Sequence, residues 1–306
     1  MDKVEFGALI PFARLADVPQ FARKVEQLGY DYLACGEHVM FRGPITNSLI
    51  CLSVAAGATE RIKLMSSVVL LPLYQPVLLA KLTSVLDVAS GGRYHMGVGV
   101  GGEFPDEFAA CGVPVRERGA RANEALELIR RLWTEDCVSF EGRYNRTTGI
   151  TLAPKPAQKP HPPIWVAGRK EAAMRRAALY GDGWLPYMYT PAMVRQSIET
   201  IAEFRAARGR SMTDFRVGLF IFVCIMANRD EARAQAIQTL SRNYGQDFSK
   251  LVDKYVLYGT ADDCRRRLEE FVNAGARTVI FAWACHPKAV EENLVRLAEA
   301  VIPAFR

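Results

Sequence analysis

Short apolar runs alternate with amphipathic stretches along the whole chain. Most of the apolar runs lack polar alternation, which is typical of strands that are covered on both faces of a sheet. Each run is followed by a stretch whose apolar residues have helical spacing. The eight runs predict strands at residues 4–10, 30–35, 62–71, 93–99, 163–167, 183–187, 216–226 and 277–284.

The helical spacing is clear at residues 122–133, where Leu126, Ile129 and Trp133 form one apolar stripe. Because every predicted strand is followed by a predicted helix, we expect the strands to run parallel. Eight βα repeats in 306 residues fit a closed barrel better than two open sheets. The expected fold class is therefore α/β, a (β/α)8 TIM barrel.

The chain shows no segment with the composition of an interdomain linker, so we expect a single domain over residues 1–306. A hairpin-like stretch and a proline-rich segment together cover about residues 134–163. We interpret them as an insertion between the fourth helix and the fifth strand of the barrel.

Composition narrows the class of protein. Hydrophobic residues make up 50% of the chain and charged residues 24%, which is the balance of a soluble globular protein. No apolar run approaches the roughly 20 residues of a membrane helix, so no membrane association is expected. The net charge of +6 comes from 39 basic and 33 acidic residues spread along the chain, which disfavours a nucleic-acid partner.

The cysteines and histidines indicate the compartment and argue against a metal site. The seven cysteines include no CxxC pair, and the four histidines have no metal-ligand spacing. An odd number of cysteines, several of them inside apolar runs, predicts free thiols in a reducing cytoplasm. No metal ion is expected.

A (β/α)8 barrel places its reactive groups at the C-terminal ends of the strands. His38 lies at such a place, beside Glu37 at the end of the second predicted strand. It would serve there as a general acid or base; a structural histidine bonded to the backbone is the alternative. Other residues at strand ends are candidate walls of a substrate pocket: Phe12, Arg42, Trp184, Tyr187, Trp283 and His286.

Residues 97–102 match the pattern G-x-G-x-x-G directly after the fourth predicted strand. A dinucleotide-binding fold would carry this pattern in its first βαβ unit, so the position disfavours a Rossmann dehydrogenase. We interpret Gly97, Gly99 and Gly101 as positions that let a ring or a backbone segment approach closely.

Gly168 begins the loop between the fifth predicted strand and the helix that follows it. Free N–H groups at the start of that helix, together with two cations, would form a seat for phosphate. An ordinary basic helix start is the alternative. The residues concerned are Gly168, Arg169, Lys170 and Glu171.

The chain resembles the bacterial luciferase-like oxidoreductases, which use FMN or the deazaflavin coenzyme F420. The similarity extends over nearly the whole sequence and is closest to a sub-branch of probable F420-dependent enzymes. The segments that carry it are Gly-Glu-His at 36–38 and the blocks 66–102, 108–133, 162–184 and 258–276.

This resemblance implies a barrel with an insertion, a homodimer, and a non-proline cis peptide at the end of the third strand, here Ser67–Val68. It implies a catalytic role for His38. It also implies an acid just after the glycines of the fourth strand, for which Glu103 and Glu107 are the candidates. Arg42 stands where the F420-dependent dehydrogenases carry a tryptophan.

The function expected from the resemblance is F420-dependent hydride transfer to or from a small organic substrate. The cofactor ring would lie on the third and fourth strand ends, with Arg169 and Lys170 at its phosphate. The alternative is a two-component monooxygenase that receives reduced FMN from a separate reductase. A third possibility is a protein that binds flavin without catalysis.

Overall fold

The sheet closes into a barrel because the first strand pairs in parallel with both the second strand and the last one. This computed structural model describes residues 3–11 and 15–306. The strands are β1 (Glu5–Leu9), β2 (Tyr32–Cys35), β3 (Lys63–Ser66), β4 (Val69–Leu70), β5 (Tyr94–Gly99), β6 (Val138–Glu141), β7 (Arg146–Ile150), β8 (Ile164–Ala167), β9 (Gly183–Leu185), β10 (Arg216–Ile225), β11 (Val256–Gly259) and β12 (Thr278–Trp283).

The barrel has the strand order β1, β2, β3, β5, β8, β9, β10 and β12, all in parallel pairing, so the expected (β/α)8 architecture is confirmed. The helices are α1 (Val18–Gln27), α2 (Ser48–Ala56), α3 (Pro76–Ala89), α4 (Pro105–Ala110), α5 (Arg118–Thr134), α6 (Glu171–Tyr180), α7 (Pro191–Ala206), α8 (Arg229–Tyr244), α9 (Val252–Tyr255), α10 (Ala261–Asn273) and α11 (Val290–Arg296).

Two strands differ from the sequence prediction. The run 62–71 forms two strands, β3 and β4, which are separated by the cis peptide Ser67–Val68. The short strand β11 was not predicted; it pairs with the last four residues of β10. Four residues between two helices are too few to show a strand period, and β11 is a strand only because β10 extends far enough to pair with it.

The insertion before β8 contains an antiparallel hairpin, formed by β6 and β7. The proline-rich segment that follows makes close contacts with the barrel. The polar setting of His161 in this segment suggests an exposed side chain, but the structure buries it, with Nδ1 2.9 Å from the carbonyl oxygen of Pro162. No helix in the part of the chain that the structure describes is both long and apolar enough to cross a membrane.

Local sequence explains where several helices begin. The side chain of Asn47 accepts a hydrogen bond from the backbone N–H of Ile50 at the start of α2. α10 begins with a capping box, in which Thr260 and Asp263 each bond to the other's backbone N–H. These caps fix where the two helices begin, and therefore where the loops that lead from β2 and β11 end.

The barrel interior is polar at its N-terminal end and aromatic above it. The Tyr32 hydroxyl donates to the Glu5 carboxylate at 3.3 Å, and the Lys63 ammonium donates to the same carboxylate. Higher in the barrel, the Trp165 indole N–H donates to His95 Nδ1 at 3.2 Å. Because these groups fill the base of the barrel, ligands have access from the opposite, C-terminal mouth.

Candidate active site

His38 follows β2 at the mouth of the barrel, where the chain leaves the sheet for the loop to α2. Its Nδ1 lies 3.2 Å from both carboxylate oxygens of Glu107, a residue of α4 whose side chain is completely buried. The backbone N–H of Val39 donates to the same carboxylate at 3.1 Å. Since an ionised carboxylate only accepts hydrogen bonds, Glu107 keeps the proton on Nδ1. His38 Nε2 makes no hydrogen bond within the described part of the chain.

Two aromatic side chains cover the His38 ring. Phe41 stacks on it with the ring centroids 4.8 Å apart, and Phe104 meets it edge-on at 5.4 Å. The two phenyl rings also contact each other, with centroids 4.9 Å apart. The cluster leaves 19% of the His38 side chain exposed, so the imidazole lies against two aromatic rings and remains partly accessible to solvent.

The other predicted acid, Glu103, belongs to a different cluster. The Tyr187 hydroxyl donates a short hydrogen bond to its carboxylate, and the Arg169 guanidinium lies 4.9 Å from the centre of the Tyr187 ring. Burial, followed by the charge of Glu103, raises the pKa of Tyr187, so the phenol stays protonated at neutral pH. Of the two candidate acids, the structure therefore brings Glu107 to His38 and Glu103 to Tyr187.

The cis peptide Ser67–Val68 makes a bulge at the end of β3, at the place that the resemblance implied. The glycines of β5 accommodate it. A Cβ atom at Gly97 would lie 1.9 Å from the carbonyl oxygen of Ser66, and one at Gly99 would lie 2.6 Å from Val68 Cγ2. The bulge therefore fills the space beside these two glycines. The glycines make room for Val68, and Val68 is the side chain that would contact a ligand.

The Ser67 hydroxyl oxygen in this bulge is buried and has no hydrogen-bond partner among the residues that the structure describes. Buried polar atoms are nearly always bonded, so this unpaired hydroxyl is a candidate hydrogen-bonding partner for a bound ligand. Gly101 continues the same edge with φ +58°, and a Cβ atom there would crowd Phe108 and Leu70.

The predicted phosphate loop follows β8. Gly168 has φ +134°, and a Cβ atom at this position would come within 2.6 Å of Ala173, so the turn requires glycine. Arg169 and Lys170 are exposed and directly precede α6, which begins at Glu171. The loop thus presents two cations beside the free N–H groups of a helix start.

A groove of about 370 Å³ lies beside this loop, between α5 and α6. Arg176 is buried in its wall and donates to Asn123 Oδ1 at 2.7 Å and to the Gly119 carbonyl at 3.1 Å. No carboxylate pairs with Arg176 among the residues described, and burial lowers its pKa. The groove is lined by Asn123, Glu171, Ala172, Arg175, Arg176 and Leu179.

Trp184 and Trp283, which the sequence predicts as pocket walls, are both buried. Trp184 is fully buried and its indole N–H donates to the Gly168 carbonyl at 3.0 Å. Trp283 is 8% exposed and donates to the Leu9 carbonyl at 2.7 Å. Because each indole bonds to backbone at a neighbouring strand end, the rings pack into the barrel wall and support the mouth from behind.

The remaining predicted wall residues have other surroundings. Tyr187 is half-buried at the mouth, as described above. Arg42 is exposed and extends to Gly245 at the end of α8. His286 is exposed and accepts a hydrogen bond from the Lys288 backbone N–H, which caps a short helical turn. Phe12 lies outside the residues that the structure describes.

Several residues of the mouth were not identified from sequence. Phe41 and Phe104 enclose His38, and Glu37 bonds to residues of α2 and β4. The aromatic residues have a weak signal, since each stands within three residues of a predicted catalytic position. Glu37 directly precedes His38, but its partners are set by the packing of α2 against β4 and not by spacing along the chain.

Comparison with known proteins identifies the family. The profile of the family described as luciferase-like monooxygenase matches residues 4–278. An FMNH2-dependent dimethylsulfone monooxygenase of Pseudomonas putida is 32% identical over 61% of this chain and 51% of that protein. An F420-dependent glucose-6-phosphate dehydrogenase of Amycolatopsis mediterranei is 24% identical over 95% of this chain and 94% of that protein. The first of these matches thus spans about half the length of the relative.

Solved structures show the same architecture. A monooxygenase from Streptomyces bottropensis superposes with a TM-score of 0.87 at 25% identity, over 99% of this chain and 100% of that one. An F420-dependent secondary alcohol dehydrogenase in complex with an F420–acetone adduct superposes with a TM-score of 0.88 at 19% identity, over 99% of each chain. Since the family profile covers most of the sequence, this chain belongs to the luciferase-like monooxygenase family.

Proposed function

We propose that this protein is an oxidoreductase that binds F420 or FMN at the C-terminal mouth of the barrel, and that its reaction is F420-dependent hydride transfer to or from a small organic substrate. The observation that carries the proposal is the His38–Glu107 pair at the end of β2, close in the fold to the bulge between β3 and β4. A proton-transfer group and a bed for a flat ring are what a hydride-transfer enzyme requires.

The residues at the mouth fit such a cofactor. The bulge at Ser67–Val68 offers an apolar methyl surface and one unpaired hydroxyl, which suit a ring with polar edges. Arg169, Lys170 and the N–H groups at the start of α6 would hold the phosphate. The cationic groove beside them, with Arg176 in its wall, would take further negative charge of the cofactor.

When bound, the cofactor supplies or accepts the hydride, and this chain supplies placement and the proton. Glu107 holds Nδ1 of His38, so Nε2 is the atom that takes up or releases the proton of a substrate oxygen. Phe41 and Phe104 exclude water from the ring face of His38. Glu103 and Tyr187 close the opposite side of the mouth.

A second function is favoured by the relatives. The Pseudomonas putida protein is an FMNH2-dependent monooxygenase, and the Streptomyces bottropensis structure is a monooxygenase as well. In this alternative a flavin reductase supplies reduced FMN and oxygen is the co-substrate. In the F420 case the corresponding partner is an F420 reductase. A non-catalytic flavin-binding protein is disfavoured because it would have no need for the His38–Glu107 pair.

Assembly and location also belong to this proposal. We expect a homodimer, supported by an exposed apolar stripe on α2 and α3 that includes Ile50, Leu78 and Leu82.

We expect a cytoplasmic protein, supported by the free thiols of all seven cysteines, five of which are buried.

Titration of the purified protein with F420 and, separately, with FMN tests the function. We expect F420 to bind at least tenfold more tightly than oxidised FMN, as measured by fluorescence or calorimetry. With that result, alcohols, imines and enones are the substrates to screen. Preference for reduced FMN together with oxygen uptake would establish the monooxygenase instead. Failure to bind either cofactor would refute both functions.

A further inference from the structure

We propose that Glu37 is a positioning residue, which fixes the catalytic His38 at a set place relative to the bulge at Ser67–Val68. The inference rests on the proposed function, in which the bulge is the bed of the cofactor ring. Glu37 precedes His38 in the chain, but its side chain is directed to other elements and is 7% exposed.

The Glu37 carboxylate accepts hydrogen bonds from three separate parts of the chain. Ser48, the first residue of α2, donates its backbone N–H at 3.0 Å and its hydroxyl at 2.6 Å. The backbone N–H of Leu70 in β4 donates at 3.0 Å to the other carboxylate oxygen. The Tyr74 hydroxyl and the Asn47 amide complete the set at 3.2 and 3.4 Å.

The negative charge of Glu37 is stabilised without an ion pair. No cationic side chain lies within ion-pair distance of it in the described residues; the nearest histidine, His38, pairs with Glu107. The donors are neutral groups and the N-terminal end of α2, where the helix dipole favours negative charge. Burial and then the charge of Glu37 raise the pKa of Tyr74, so its hydroxyl stays a donor.

The segment that carries His38 is held on two sides. On one side Glu37 bonds to β4, directly after the bulge; on the other side His38 bonds to Glu107 of α4. The backbone N–H of Ser67 also donates to the Cys35 carbonyl at 2.7 Å, at the end of β2. The imidazole and the bulge are therefore parts of one hydrogen-bonded frame, in which Glu37 is the side chain that joins them.

The chemistry of the site requires a carboxylate. A carboxylate is a pure acceptor, and every group around Glu37 is a donor. Glu37→Gln keeps the size of the side chain but turns an NH2 group toward donors, so a buried N–H of Ser48 or Leu70 loses its partner. We expect β4 and the bulge to become mobile relative to His38.

The experiment compares wild type, Glu37→Gln and a matched control, Asp87→Asn. Asp87 is a fully buried carboxylate of α3 that has no cation partner in the described part of the chain. It accepts from the backbone N–H of Gln158 at 2.9 Å and from the Gln158 side-chain amide at 2.7 Å. Hydrogen–deuterium exchange is measured on the cofactor-free protein, and the dissociation constant and visible spectrum are measured with F420 and with FMN.

In Glu37→Gln we expect the backbone amides of residues 67–73, apart from Pro72, to exchange at least tenfold faster. We also expect the cofactor to bind at least tenfold more weakly and its absorption band to shift. Asp87→Asn is expected to lower the melting temperature to a similar extent, with exchange at 67–73 and cofactor binding within twofold of wild type.

Exchange and binding within twofold of wild type in Glu37→Gln would overturn the proposal, as would an equal loss of binding in Asp87→Asn. If Glu37→Gln does not fold, Ser48→Ala and Tyr74→Phe each remove one hydrogen-bond donor and keep the charge of Glu37. We expect about threefold faster exchange at residues 67–73 in each of these variants. Exchange equal to that of wild type in both would overturn the proposal. If wild type binds neither cofactor, the proposed function fails, whereas the exchange experiment still tests the frame.

Discussion

Glu107 lies 69 residues after His38 in the chain, yet its carboxylate holds Nδ1 of that imidazole at 3.2 Å. A fully buried carboxylate is costly unless it is bonded, and here the imidazole and the Val39 N–H supply the bonds. At the scale of residues, the proposed chemistry depends on this pair. Glu107 contributes through His38, and Glu103 is bonded to Tyr187 instead.

We expect His38→Ala to keep cofactor binding and to lower turnover roughly 100-fold, because the proton-transfer group is lost. Glu107→Gln should lower turnover as well, since the imidazole loses its orienting charge. The double variant should be no slower than His38→Ala, because the two residues act as one unit. Steady-state turnover and cofactor affinity of the three variants check this. Additive losses, or a larger loss in Glu103→Gln than in Glu107→Gln, would contradict the assignment.

Because His95 is buried, the free energy of unfolding is expected to depend on pH. Burial lowers its pKa well below the ordinary value of 6.5, so the unfolded chain binds a proton at that pH and the folded chain does not. Stability is therefore complete above pH 6.5 and is lost as pH falls below it, by up to about 1.4 kcal/mol per unit. Urea unfolding at pH 7.5 and 5.5 should show a smaller loss for His95→Gln, which keeps an acceptor for Trp165 and does not titrate. Equal losses in both proteins would exclude His95 as the cause.

At the scale of elements, the mouth depends on how β5 packs against the bulge between β3 and β4. The glycines of β5 allow the Ser66 carbonyl and the Val68 side chain to approach the strand. The loop after β8 is fixed in a similar way from behind, since Trp184 and Tyr189 donate to its carbonyl groups. The residues that face a ligand are thus held by neighbours that themselves lie behind the surface.

Gly97→Ala tests this packing. Its Cβ atom would lie 1.9 Å from a backbone oxygen, so β5 and the bulge must separate, and we expect a loss of about 3 kcal/mol in the free energy of unfolding together with weaker cofactor binding. Gly43→Ala is the control, because nothing lies within 4 Å of a Cβ atom there; its change should stay below about 0.5 kcal/mol. Similar denaturation midpoints for the two variants would show that the bulge does not need the glycine.

At the scale of the whole molecule, the exposed apolar surface is concentrated on one side of the barrel. α2 and α3 pack against each other and together expose a stripe of large apolar side chains. An unpaired stripe of this kind on a folded domain indicates an interface. Its members are Ile50, Val54, Leu78, Leu82, Val85 and Val88, each between 42% and 68% exposed.

We expect the protein to be a dimer in light scattering, and the double variant Leu78→Glu/Leu82→Glu to be a monomer, because two charges would be buried at the interface. Gln196→Glu, which adds a charge on the exposed side of α7, should remain a dimer. A monomeric wild type, or a dimer that survives the double substitution, would rule out the α2–α3 interface.

The sequence by itself determined the barrel, because apolar runs and helical spacing are local properties that every βα repeat shows again. It also placed His38 at a strand end, and the resemblance located the cis peptide Ser67–Val68. Only the tertiary structure decided which acid meets His38, which tryptophans are buried in the wall, and what Glu37 bonds to. These pairings join residues far apart in the chain, and they depend on the paths of the loops and the packing of neighbouring elements, which no spacing along the sequence encodes.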